Sequence, residues 1–195
     1  MMEIVLASKS QRRIDLLKQF GLKFQVAAAN TPESSGGDPA ETVINNAVLK
    51  AKAVLARFPG SLVIGADTVV AIADQILGKP RDRRDAFAML RLLSGKKHQV
   101  LTGVALLSAK MERSFYAATD VYIRELEDYE IRTYIDTQEP FDKAGGYAIQ
   151  GIGGAFVESI SGCYYNVVGL PMPRLLLELR TFGIDVFARG SGKEE

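Results

Sequence analysis

The sequence predicts an α/β fold with a mixed sheet, on three observations. Apolar, β-branched runs alternate with segments of helical period along nearly the whole chain, which argues α/β. The long strand signals in the middle sit close enough to pair as hairpins, so the sheet is not purely parallel. The 195 residues, 47% of them hydrophobic, are enough for one good core, in one domain or two closely joined lobes.

The elements follow in order. "EIVLA" (3–7) reads as a strand, and residues 10–19 as a helix with Ile14, Leu16 and Leu17 on one side and Gly21 as its stop. "KFQVAAA" (23–29) reads as a second strand. Alanines and leucines on a helical period mark 39–57, ended by Pro59-Gly60. "SLVIGADTVVAIA" (61–73) is a strand, and "ADQ" makes a turn after it. In 82–93, Ala86, Met89, Leu90 and Leu93 share a helical face, with Gly95 behind as a C-cap. Strands at 99–109 and 113–125, a helix at 127–136, a strand at 154–162 and a helix at 171–181 complete the set. Residues 136–154 read as a glycine-rich loop, and 189–195 as a polar, frayed tail, leaving 1–188 as a single domain.

Composition narrows the function. Lys+Arg is 24 and Asp+Glu is 23, without the basic excess of a nucleic-acid binder. One cysteine, Cys163, gives no internal disulfide and suits a reducing compartment; it reads as a small buried residue. The N-terminus lacks the pattern of a signal peptide, and no apolar run is long enough to span a bilayer, so a cytoplasmic protein is expected. His98, the only histidine, cannot build an ordinary zinc site and reads as structural. "GSGK" at 190–193 lacks the Ser/Thr and the helix of a P-loop.

Three segments carry chemistry. "LASKSQRRIDLL" (6–17) is a strand, a loop and a helix, a unit that aims free backbone N–H groups at the space above the strand end. Ser10 is the N-cap candidate, and Ser8 adds a hydroxyl. Arg12 and Arg13 lie where the helix dipole disfavours cations. Either a bound phosphate answers them or they are a solvated pair facing Asp15 and other acids. In "LVIGADTVVAIADQILGKPRD" (62–82), Asp67 is a carboxylate inside an apolar strand. It is paired, holds a divalent cation such as Mg²⁺, activates water, or caps nearby N–H groups at a strand end. Thr68 points to the opposite face and joins the same site only if the strand bends or ends there. Gly65 allows close approach of another backbone, and Lys79 beside Pro80 suits a phosphate. "DKAGGYAIQGIGGAF" (142–156) has five glycines and is either a ligand-hugging loop or a flexible one. The amide of Gln150 offers both donor and acceptor, as a uracil or thymine edge does.

Together "LASKSQRR", "GADTVV", "LGKPRD", "LSGKKHQVLTGVAL", "DKAGGYAIQGIGGAFVESISG" and "NVVGLP" resemble the Maf family over nearly the whole chain. These are nucleoside triphosphate pyrophosphatases once described as septum formation inhibitors. The resemblance implies an elongated mixed sheet with flanking helices and two lobes around a central cleft, usually in a homodimer. It implies hydrolysis of a nucleoside triphosphate to monophosphate and pyrophosphate with a divalent metal, Mg²⁺ or Mn²⁺. By position Asp67 corresponds to the proton acceptor and a metal ligand, and Arg12, Thr68 and Gln150 to residues that set substrate choice. Ser8, Arg13, Lys50 and Lys79 fall in the phosphate site, and Glu33 beside the metal. "AIQG" looks like the dTTP and UTP branch, since the 7-methyl-GTP branch carries a glutamate there. Gln11 departs from the family's S-P-R-R, which loosens the first turn without removing the arginines. The rival class is a non-enzymatic nucleotide- or nucleic-acid-binding regulator of division. The neutral charge and Asp67 argue against nucleic acid as its ligand.

Overall fold

The structure, a computed structural model, describes residues 2–73 and 75–188. The tail at 189–195, with its "GSGK", lies outside the described residues, as does Asp74 of the "ADQ" turn. One sheet runs through the molecule in the order β2-β1-β3-β5-β6-β7, with β4 also paired to β3. β1 (Ile4–Leu6) is parallel to β2 (Gln25–Val26) and to β3 (Leu62–Ile72). β3 is antiparallel to β4 (Gln75–Leu77) and β5 (Lys97–Leu107). β5 pairs antiparallel with β6 (Glu112–Ile123), and β6 with β7 (Val157–Ser161). The sheet is therefore mixed, as expected.

The predicted helices are all present, and their ends show why. α1 (Gln11–Gln19) stops before Gly21, whose φ is 72°. α2 (Pro39–Leu55) starts where the Asp38 carboxylate accepts from the Ala40 and Glu41 N–H groups, with Pro39 fixing the first turn. α3 (Arg83–Leu93) is capped by Asp82, and Gly95 follows at φ 67°. α4 (Asp128–Asp136) opens with a Glu127/Glu130 capping box.

Five expectations need correction. The strand at 23–29 shrinks to two exposed residues, because β1 offers only a short edge to pair with. β4 was legible only as a turn, being three residues long. α5 (Tyr164–Val168) precedes α6 (Met172–Arg180) and is built from β-branched and aromatic residues that argue against a helix. The buried Asn166 holds it, donating to the Val100 carbonyl and the Thr119 hydroxyl. Cys163 leads into α5 half-buried rather than fully enclosed. The glycine-rich segment is not an open loop either. It winds through three 3-10 turns, Glu139–Asp142, Ala144–Gly146 and Ile152–Phe156, and the last takes residues from the expected start of β7.

Alternation along β3 sorts the core into bodies. Val63 packs with Ala47, Ala51 and Val54 of α2, while Val69 and Ala71 meet Val43 farther along the same helix. On the opposite face, Leu62, Ile64 and Ala66 belong to a core with α1 and α6, whereas Val70 belongs to a second core with α3 and α4. Thr68 falls between those two bodies. α2 lies close on the sheet because Gly65 and Gly103 leave room: a Cβ on Gly65 would stand 2.2 Å from the Ala47 carbonyl oxygen, and one on Gly103 2.3 Å from that of Val43. Gly65 thus does what its place in the strand predicted.

Candidate active site

The site begins with a gap in the sheet. β1 covers one edge of β3 only as far as Ile64, and β4 covers it only from Val70. Between them that edge is open, and side chains from both faces of β3 reach the same space. Thr68 therefore shares the site without any bend or end in its strand, which runs on to Ile72; the neighbouring strand ends instead. The opening is a cavity of about 950 Å³ lined by Ser8, Arg12, Asp67, Thr68, Lys79 and Gln150 among others. Its wall holds six Lys or Arg and four Asp or Glu, a local basic excess that the near-neutral chain conceals.

Asp67 points toward α2. It is 7% exposed and accepts from Lys50 Nζ through Oδ1 at 2.7 Å and from Asn46 Nδ2 through Oδ2 at 2.9 Å. The same ammonium lies 2.7 Å from Glu33 Oε1, so both carboxylates converge on one cation. Asn46 also donates to the Ser34 carbonyl and accepts from the Ser34 N–H, tying the 30–37 loop to the carboxylate. Sequence reasoning missed Asn46. Its signal was available: Thr42, Asn46 and Lys50 follow one another at four-residue steps on the buried, otherwise alanine- and valine-rich face of α2.

Arg12 and Arg13 separate. Arg13 is buried: Nε donates to the Gly169 carbonyl, Nη1 to the Ala66 carbonyl and Ser8 Oγ, and Nη2 to Thr68 Oγ1. Four of a guanidinium's five N–H groups are thus on protein atoms among the described residues. Burial lowers its pKa to about 10, and Asp67 opposes the shift. The Ala66 carbonyl lies in the sheet gap, and Lys50 Nζ also approaches it, at 3.5 Å. Arg12 instead reaches the cavity, 3.6 Å from Asp142 of the glycine-rich segment. Ser10 stands at the N-cap position, but its side chain makes no capping bond. Its N–H donates to Ser8 Oγ, which caps the loop in its place. Ser8 Oγ thus accepts twice and keeps its proton to donate.

Lys79 is exposed and held by its neighbours: the Gly78 carbonyl accepts from the Gly145 N–H at 2.9 Å, and Pro80 packs on Gly146. Gln150 is likewise exposed and lines the cavity. Behind this wall His98 is buried, its Nε2 2.8 Å from the Tyr147 hydroxyl, with Nδ1 unpartnered among the described residues. Burial lowers its pKa to about 4 against a smaller opposing pull from Asp120, so it is neutral. The structure thus brings every predicted site residue to one cavity.

A family profile described as Maf-like protein matches residues 3–182. The chain is 47% identical over 194 residues to a dTTP/UTP pyrophosphatase of Symbiobacterium thermophilum, covering 98% of this chain and all of that one. It is 49% identical over 190 residues to a dTTP/UTP pyrophosphatase of Pelotomaculum thermopropionicum, covering 95% of this chain and all of that one. Among solved structures, a HAM1 protein from Coxiella burnetii shares the fold, with a TM-score of 0.54 at 14% identity over 93% of this chain and all of the other. No helix among the described residues is long and apolar enough to cross a membrane.

Proposed function

The chain belongs to the Maf-like family, and on that footing we propose that it hydrolyses dTTP and UTP to the nucleoside monophosphate and pyrophosphate. The observation that carries this reading is the shared cleft, whose wall contains a buried carboxylate held by Asn46 and Lys50 together with Arg12 and Lys79. Triphosphate hydrolysis is mostly positioning and charge stabilisation, which such a cleft provides.

Asp67 is the catalytic residue of this proposal. Its carboxylate orients a water and takes its proton as the water oxygen bonds to the α-phosphorus. The bridging bond to the β-phosphate breaks, and pyrophosphate leaves with that electron pair. Arg12, Lys50, Lys79, the Ser8 hydroxyl and the remaining Arg13 N–H hold the phosphate oxygens. The arginine pair at the start of α1 then makes sense, because a polyphosphate brings negative charge to both the guanidinium groups and the helix end. Arg12, Thr68 and Gln150 set substrate choice, with Gln150 reading the base edge.

A divalent cation, Mg²⁺ or Mn²⁺, fits the carboxylates. Asp67 and Glu33 already meet at one ammonium, and Mg²⁺ is commonly held by one or two carboxylates with substrate phosphates supplying further oxygens. Bound there, it supplies charge neutralisation for the leaving pyrophosphate. In this reading the protein works in the cytoplasm as a homodimer of single-domain chains, which sedimentation would check.

The test is a panel of nucleoside triphosphates with and without divalent metal, reading pyrophosphate and orthophosphate separately. Metal-dependent pyrophosphate from dTTP and UTP is expected. Orthophosphate alone would indicate a phosphatase, and no turnover of any nucleotide would favour a non-enzymatic regulator.

A further inference from the structure

Among the described residues the Gln150 side chain has no hydrogen-bond partner, yet it stands on a segment held from below by one acid. The Glu139 carboxylate accepts from the Ile152 N–H through Oε2 at 3.0 Å and from the Gly153 N–H through Oε1 at 3.1 Å. Oε1 also accepts from the Tyr134 hydroxyl at 2.8 Å. That ring is anchored in the second core, edge-on to Phe156. The carboxylate lies so close beneath Gly151 that a Cβ there would stand 2.3 Å from Oε1. On the other side of Gln150, Ile149 packs against the first core. Gln150 is thus the exposed residue between two anchors, one apolar and one ionic.

We infer that Glu139 is the positioning residue for base selection: its carboxylate sets the turn at 150–153 so that the Gln150 amide enters the cleft in one orientation. This rests on the reading that Gln150 recognises the base. A carboxylate is suited to the task, because it offers two acceptor oxygens with no donor, and here all three donors converge on it. Glu139 itself lines the cleft wall, but its lone pairs are directed at Tyr134, Ile152 and Gly153 rather than at a ligand.

The experiment uses the full chain with Mg²⁺ and compares kcat/KM for UTP with that for ATP. Glu139→Ala is expected to lower the UTP preference about tenfold, because two charged hydrogen bonds to the turn are lost. The loss enters through KM for UTP. Glu139→Gln, which keeps one acceptor oxygen, falls between wild type and the alanine variant. Tyr134→Phe, which keeps the ring, shows the smallest loss. The double variant Glu139→Ala/Gln150→Ala loses no more preference than Gln150→Ala alone, since one residue acts through the other. Should Glu139→Ala fold poorly, Glu139→Gln and Tyr134→Phe carry the same comparison. The inference is overturned if Gln150→Ala abolishes the preference while the Glu139 and Tyr134 variants keep it, or if the losses add. If Gln150→Ala itself leaves the preference intact, the base-reading assignment fails, and the inference falls with it.

Discussion

The two walls of the cleft are built on different physics. On the wall formed by the β1–α1 loop, β3 and α2, charged side chains hold one another: Lys50 joins Asp67 and Glu33, and buried Arg13 ties Ser8, Ala66, Thr68 and Gly169 together. On the wall formed by 139–156, backbone is held by packing and by a single acid, Glu139, with glycines fitted against neighbours at Gly145, Gly151 and Gly153. The first wall fixes charges before a ligand arrives, which is what transition-state stabilisation requires. The second fixes a shape and presents one amide, which is what discrimination between bases requires.

The largest effect should come from the charged wall. Asp67→Asn is expected to fold, with the amide in the carboxylate's place, and to lower pyrophosphate release about a thousandfold, the range typical of a lost general base. Steady-state kinetics alongside circular dichroism check it; full activity would remove Asp67 from the chemistry.

Next is the split between the two arginines. Arg13→Ala strands the Ala66 and Gly169 carbonyls and leaves Asp67 short of positive charge, so it should cost about 3 kcal/mol in urea unfolding. Arg12→Ala removes a half-exposed ion pair and should cost less than about 1 kcal/mol, while raising KM for UTP. Equal stability losses would erase the distinction between anchor and ligand contact.

The packed wall should respond to acid. His98 is neutral in the folded state, with its pKa lowered from 6.5 to about 4, and it protonates first in the unfolded state. The unfolded chain then binds more protons, so stability falls as pH drops below 6.5 and levels off below about 4. By about pH 5 the loss should reach about 2 kcal/mol. His98→Asn, measured by urea unfolding at both ends of that range, should flatten the dependence. The smallest effect is Gln150→Glu, expected to lower kcat/KM for UTP and dTTP about tenfold, because a carboxylate cannot donate the amide's hydrogen bond. Unchanged kinetics would show that this wall does not read the base.

The sequence makes the helices and the charged wall legible for local reasons. Asp38-Pro39, Asp82 and Glu127 announce helix starts, and Asp67 stands out as an acid in an apolar run. The gap beside β3 is not legible, because it depends on where β1 stops and β4 starts, and β4 is only three residues long. For the same reason Thr68 looked as though it needed a bend to join the site. Glu139 acts through contacts 13 to 14 residues away, which no local pattern displays, whereas Asn46 was marked by its place between Thr42 and Lys50 on the buried face of α2 although its partner Asp67 lies 21 residues away. The glycines of 142–156 favour a mobile loop and a packed one equally until their neighbours are known.

The central claim is that water attacks the α-phosphorus within this cleft under the control of Asp67. Turnover of UTP in heavy-oxygen water, with products resolved by mass spectrometry, tests it most directly. The account predicts heavy oxygen in the uridine monophosphate, unlabelled pyrophosphate, and loss of the labelled product in Asp67→Asn. Heavy oxygen in pyrophosphate or orthophosphate, or undiminished labelling by the variant, would contradict it.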